Sequence, residues 1–128
     1  MKKIILKSIA VVSIFMFSSC FYDKKSEIYP QTLTTTCDTT NSTYATTVVP
    51  ILNSNCNNCH ASSVAKSIGA SIVLDNYTSL KIYVTNNQLL NSINHTGGIT
   101  PMPLNGAKIN ACDISKITAW VNRGALNN

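Results

Sequence analysis

One pentapeptide, Cys56-Asn57-Asn58-Cys59-His60, constrains this chain more than anything else in its 128 residues. Two cysteines two residues apart, followed at once by histidine, form the C-x-x-C-H spacing of covalent haem attachment. The chemistry accounts for the spacing. Two thiols add across the two vinyl groups of one porphyrin edge, and two intervening residues let both reach. The next residue, His60, is then carried under the ring, where an imidazole nitrogen can bind iron. With five Cys and two His in the chain, chance produces such a match about three times in a thousand. Composition agrees with a core completed by something other than side chains, since aromatic residues make up only 7%.

Three other readings of the same cysteines stay open. A thioredoxin-like redox pair also uses C-x-x-C, but beside a βαβ pattern, and the surroundings here read as helical. A structural zinc site normally draws on a second close pair of ligands, whereas Cys37 and Cys112 are far from the motif in sequence. A plain Cys56–Cys59 disulfide is the simplest of the three. For the sixth position on a haem iron the candidates are Met102 and His95, with lysine a remote third. Met102 lies in Gly97-Gly98-Ile99-Thr100-Pro101-Met102-Pro103, a composition that specifies a loop. The flanking prolines restrict its backbone, which suits a soft ligand held at fixed distance from a metal. His95 is the alternative sixth ligand. With both axial positions taken by protein, electron transfer is expected rather than bond-making catalysis, and a thioether raises the reduction potential relative to a second imidazole.

The N-terminus reads as an export signal. Met1 to Lys7 is basic, Ile4 to Phe17 is largely apolar, and small residues lead into Cys20. Phe17-Ser18-Ser19-Cys20 resembles the lipobox of bacterial lipoproteins, which implies cleavage after residue 19 and lipidation of Cys20. The expected organisation is a signal peptide over 1–19, a lipidated and flexible tether over 20–42, and a folded domain over 43–128. The tether assignment rests on its Thr, Ser and Asn content, which buries little apolar area. Removing Lys2, Lys3 and Lys7 from ten basic residues leaves seven against five acidic, a net charge of +2 in place of +5. That excludes a strongly cationic nucleic-acid binder. Export also permits disulfides. With Cys20 assigned to lipid and Cys56 and Cys59 to haem, Cys37 and Cys112 are left as a candidate pair. Their bridge would close a loop of about 75 residues, a closure worth roughly 4 kcal/mol by the chain-entropy argument.

Apolar spacing predicts short helices. Tyr44, Val48, Ile51 and Leu52 share a face leading into the motif, with Pro50 expected to kink or shorten that helix. Asp75 or Asn76 can cap a helix bearing Leu80, Tyr83 and Val84. Asn86 or Asn87 can cap one bearing Leu89, Leu90 and Ile93. The last helix begins at Asn110, with Asp113 near the capping-box position. It carries Ile114, Ile117, Trp120 and Val121, and closes with Arg123 at the negative end of the dipole and Gly124 as the stop. Trp120 is expected in a core that includes the porphyrin.

Taken together, Val49-Pro50-Ile51-Leu52, the Cys56–His60 motif, Pro101-Met102-Pro103 and Ile117-Thr118-Ala119-Trp120-Val121-Asn122-Arg123-Gly124-Ala125 resemble a small single-haem cytochrome c of class I type. The likeness runs over about Thr43 to Ala125 and is similar to haem domains of exported bacterial lipoproteins. It implies an all-α, cytochrome c-like fold of three to four short helices around one covalent haem c, with the first and last helices crossing near it. It also implies Cys56 and Cys59 as thioether donors, His60 as proximal ligand and Met102 as distal ligand. The expected role is a lipid-anchored electron carrier, not an enzyme, on the periplasmic face or cell surface of a bacterial membrane, exchanging electrons with redox partner proteins. No lysine-rich docking ring is present, so the partner stays undefined. A non-redox lipoprotein module with structural haem or zinc and a peroxidase-like haem enzyme are the alternatives.

Overall fold

The computed structural model describes residues 37–128. The expected signal peptide, Cys20 and the tether up to residue 36 lie outside the described residues. Among the described residues every regular element is helical. Thr43 opens the first helix, its hydroxyl accepting from the Thr46 N–H at 3.3 Å. Tyr44–Val48 then winds as a π-helical turn and runs directly into α1, Val49–Asn55. Pro50 accounts for the change of winding. Inside an α-helix its ring presses on the carbonyl four residues back, and it has no N–H to donate. In the wider turn the Val48 N–H reaches Thr43 O at 3.0 Å and the Val49 N–H reaches Tyr44 O, each five residues back. Pro50 thereby falls in the first turn of a new helix, where proline is tolerated. The disturbance expected from Pro50 thus takes the form of a π turn.

Beyond α1 come α2 (Asn57–His60), α3 (Ala65–Ile68), α4 (Tyr77–Thr85), α5 (Gln88–Asn94) and α6 (Ala111–Asn122). The expectation of three to four helices is low. α2 and α3 have four residues each, too short to display an apolar period. For α4 the cap is Asn76, whose side chain accepts from the Ser79 N–H at 3.0 Å. For α5 the Asn86 side chain accepts from the Gln88 N–H at 3.1 Å, while Asn87 takes a left-handed φ of 61°. Asn110 caps α6 by accepting from the Cys112 N–H at 2.7 Å.

The far end of α6 differs in detail from its sequence. Gly124 turns the chain at φ +94°, as a terminal glycine should. Arg123 sits at the C-cap, yet its guanidinium turns away to donate to Thr39 O at 3.1 Å and Ser42 O at 2.8 Å. The cation that meets the carbonyls beyond α6 is Lys81, donating to Gly124 O at 2.7 Å and Ala125 O at 3.1 Å. Asn128 then closes the chain on the first helix, accepting from the Tyr44 N–H through its side chain and from the Ala45 N–H through its main chain. These bonds satisfy donors that the start of a helix otherwise leaves open.

Val48, Leu52, Leu80, Ile117 and Trp120 are the largest fully buried side chains. The rings of Tyr44 and Trp120 stack at 5.9 Å between centroids, and Tyr77 meets Tyr44 edge-on at 5.2 Å, both favoured arrangements for aromatic pairs. Trp120 donates its indole N–H to Leu126 O at 2.9 Å. The face read from Tyr44, Val48, Ile51 and Leu52 therefore packs into the core shared with Ile117 and Trp120, and its Tyr44–Val48 turn lies against α6.

Residues 37–42 read by composition as tether but are held on this body. Cys37 and Cys112 form a disulfide with Cα atoms 5.4 Å apart, and Arg123 grips the carbonyls of Thr39 and Ser42. A bridge spanning 75 positions removes much chain entropy from the unfolded state. Replacing both cysteines, Cys37→Ser with Cys112→Ser, is expected to lower the unfolding free energy by roughly 2–5 kcal/mol. Urea titration of oxidised wild type against the double variant measures this, and an unchanged midpoint would contradict it.

Candidate functional site

The Cys56–His60 motif is a helix turn in its own right. Cys56 is the N-cap of α2, and its carbonyl accepts from the N–H groups of Cys59 at 3.1 Å and His60 at 3.0 Å. Residues three apart on a helix share a face, so this turn sets the two thiols side by side and places His60 next to them. Both cysteines are free thiols. Burial pushes the Cys56 thiol up to about 11, which suppresses the thiolate that disulfide-exchange chemistry needs.

His60 is buried and held by the segment from Ile72 to Asp75. Its Nδ1 lies 3.0 Å from Ile72 O. A carbonyl has no proton to give, so Nδ1 is the donor and, in the neutral ring, Nε2 keeps its lone pair. The His60 carbonyl accepts from the Leu74 N–H at 2.8 Å. One side chain of Asp75 accepts both the Ser62 N–H at 2.7 Å and the Ser62 hydroxyl at 2.8 Å. These bonds, led by the one from the Ser62 backbone, hold the Asp75 carboxyl below the usual carboxylate range. Asp75 thus serves this brace, while Asn76 alone caps α4.

Gly69 completes the proximal side. A methyl group at its α-carbon would collide with the carbonyl oxygen of Cys59 and crowd Ala65. Only a glycine lets the turn after α3 lie against the motif this closely. Nothing in the periodicity of the chain singles Gly69 out; its isolation just after Ser67-Ile68 is the one signal available.

Met102 belongs to the loop between α5 and α6. Its N–H donates to Ser92 O at 3.0 Å, and its carbonyl accepts from His95 Nε2 at 3.0 Å. Cys56, Cys59, His60 and Met102 all line a single cavity of about 580 Å³, a volume within the range of cofactor sites. Its walls are mostly apolar, with Ile72, Leu74, Tyr83, Leu89, Ile93 and Ile109 prominent, and no Asp, Glu, Lys or Arg is among the lining residues. Ile68 and Leu104 line it too and are largely exposed, at 62% and 63%, so they form its rim. His95 is not among the lining residues; its Nε2 is engaged with the Met102 carbonyl. Trp120 is likewise absent from the lining. It is buried in the adjoining core, which shares Leu74, Leu89, Ile93 and Ile109 with the cavity wall.

The residues present are of the kinds a covalently attached haem would need. Two free thiols stand on one turn, an imidazole is fixed in the tautomer that leaves Nε2 open, and a thioether lines the same apolar cavity. Among the described residues no three His, Cys, Asp or Glu side chains gather as a metal-binding cluster. Also among the described residues, no helix is long and apolar enough to cross a membrane. Comparison with protein-family models, characterised proteins and solved structures returned no match.

Gly69→Ala forces the turn after α3 away from Cys59. The expected cost is roughly 1–3 kcal/mol, the range for overpacking a tight contact. Urea unfolding of the variant reads this, and wild-type stability would show that the turn yields without cost.

Proposed function

We propose that residues 43–128 are a c-type cytochrome domain that carries single electrons, tethered to a bacterial membrane through lipid on Cys20. The observation that carries this is the convergence of Cys56, Cys59, His60 and Met102 on one charge-free cavity. Cys56 and Cys59 would hold the porphyrin by thioether bonds, His60 Nε2 would be the proximal ligand, and Met102 sulfur the distal one. When bound, haem c supplies an iron that alternates between ferric and ferrous states.

Everything else falls to the polypeptide. Ile72 O orients the His60 ring and, by accepting its Nδ1 proton, raises the basicity of Nε2. Met102 favours the reduced state over a second imidazole, and a lining without charged side chains acts in the same direction by disfavouring added charge. Ile68 and Leu104 leave one side of the cavity at the surface, where an electron can pass to a partner without either protein opening. A peroxidase-like reading is less well supported, since the lining offers no His or Arg besides His60 to assist bond cleavage.

Two measurements on matured, exported protein test the proposal. Voltammetry is expected to give a reversible one-electron wave with unchanged ligation, whereas rapid peroxide turnover would point to an enzyme instead. Met102→Ala should open the iron to added imidazole or azide and lower the potential. An absorption spectrum that this substitution leaves untouched would remove Met102 from the ligand set and favour His95.

A further inference from the structure

We propose that His95 is a positioning residue for Met102, acting on the loop backbone and never on the iron itself. This rests on the reading of Met102 as the distal ligand. Pro101 and Pro103 have no N–H, so Met102 is the only backbone donor in the three-residue stretch. That donor is engaged with Ser92 O at 3.0 Å. The Met102 carbonyl is held by His95 Nε2 at 3.0 Å. Both bonds run to the end of α5, so the peptide groups on either side of the Met102 α-carbon are pinned to one helix end.

The backbone that carries the His95 ring is held in turn. His95 is the C-cap of α5 at φ +55°, with its backbone N–H directed to Asn91 O and Ser92 O. Thr96 N–H donates to Asn91 O at 2.9 Å, and Gly97 passes so close that a Cβ there would sit 2.6 Å from the Asn91 side-chain nitrogen. The turn 95–97 is therefore packed on Asn91. Because its partner is a carbonyl, His95 donates from Nε2 whether the ring is neutral or charged. That engagement also keeps Nε2 from serving as a ligand. Without it, the loop samples positions in which the Met102 sulfur is displaced, and the fraction of protein with a closed distal side falls. Added ligands then bind more tightly in proportion.

The test uses haem-loaded protein in the ferric state, titrated with azide, in wild type, His95→Ala and His95→Gln. His95→Ala is expected to bind azide about fivefold to tenfold more tightly, the change that one lost hydrogen bond supports. His95→Gln retains an N–H donor and should recover most of the difference, with the reduction potential falling in the order wild type, Gln, Ala. Unchanged azide affinity in His95→Ala, or a Gln variant that behaves as Ala, would overturn the role of His95 while leaving the haem reading intact. Wild-type protein without covalent haem would instead take down both. Should His95→Ala fail to accumulate, the ¹⁵N spectrum of ferrous wild type decides: a protonated, hydrogen-bonded Nε2 on His95 is expected, and a bare or iron-bound Nε2 contradicts the proposal.

Discussion

His60 is held through its side chain and its main chain by one short segment. The bond from Nδ1 to Ile72 O sets the tautomer, and the bond from the Leu74 N–H to the His60 carbonyl sets the position of the turn that carries the ring. Ile72 and Leu74 also present their side chains to the cavity, so the segment that aims the histidine builds part of the wall it faces. Two neighbouring constraints protect this geometry. Asp75 ties the segment to Ser62, and Gly69 lets the following turn close over Cys59. Loosening any of these would move an imidazole whose usefulness depends on where one nitrogen points.

The opposite side of the cavity is built on the same economy of parts. α5 gives Leu89 and Ile93 to the shared wall, and its last turn anchors Met102 through Ser92 and His95. The small core around Val48, Leu52, Leu80, Ile117 and Trp120 therefore supports the cavity directly. A core of this size leaves limited stability in reserve, and covalent and polar closures add to it. The Cys37–Cys112 bridge fixes the first described residues to the start of α6, Asn128 and Arg123 join the last residues to the stretch 39–45, and Lys81 joins α4 to residues 124 and 125. Small domains with little core commonly draw on such a staple.

Much of this was legible in the sequence, for identifiable reasons. Apolar spacing marked the helices bearing Leu80, Leu89 and Ile117, and polar side chains offered Asp75 or Asn76 for the first of them and Asn110 for the last as caps. The Cys56–His60 spacing and the proline bracket around Met102 picked out four residues that share one cavity. What escaped was set by tertiary contact. α2 and α3 are a single turn each and carry no period. Gly69 matters because of a carbonyl that approaches from elsewhere, which no local pattern reveals. His95 carries the right chemistry for a ligand, and only the fold shows its nitrogen engaged with the Met102 carbonyl. Lys81 takes the place at the end of α6 that position along the chain implied for Arg123, since long side chains reach whichever carbonyls packing brings near. The ordered stretch 37–42 looked like linker because its composition is polar, yet a disulfide and an arginine outweigh composition.

The most direct measurement is the mass of the matured protein and of its peptide containing Cys56 to His60, taken together with a pyridine haemochrome spectrum. The account requires one haem added to that peptide through both sulfurs, with a haemochrome of the two-thioether type. A colourless protein whose mass is explained by amino acids, one disulfide and fatty acids would contradict it.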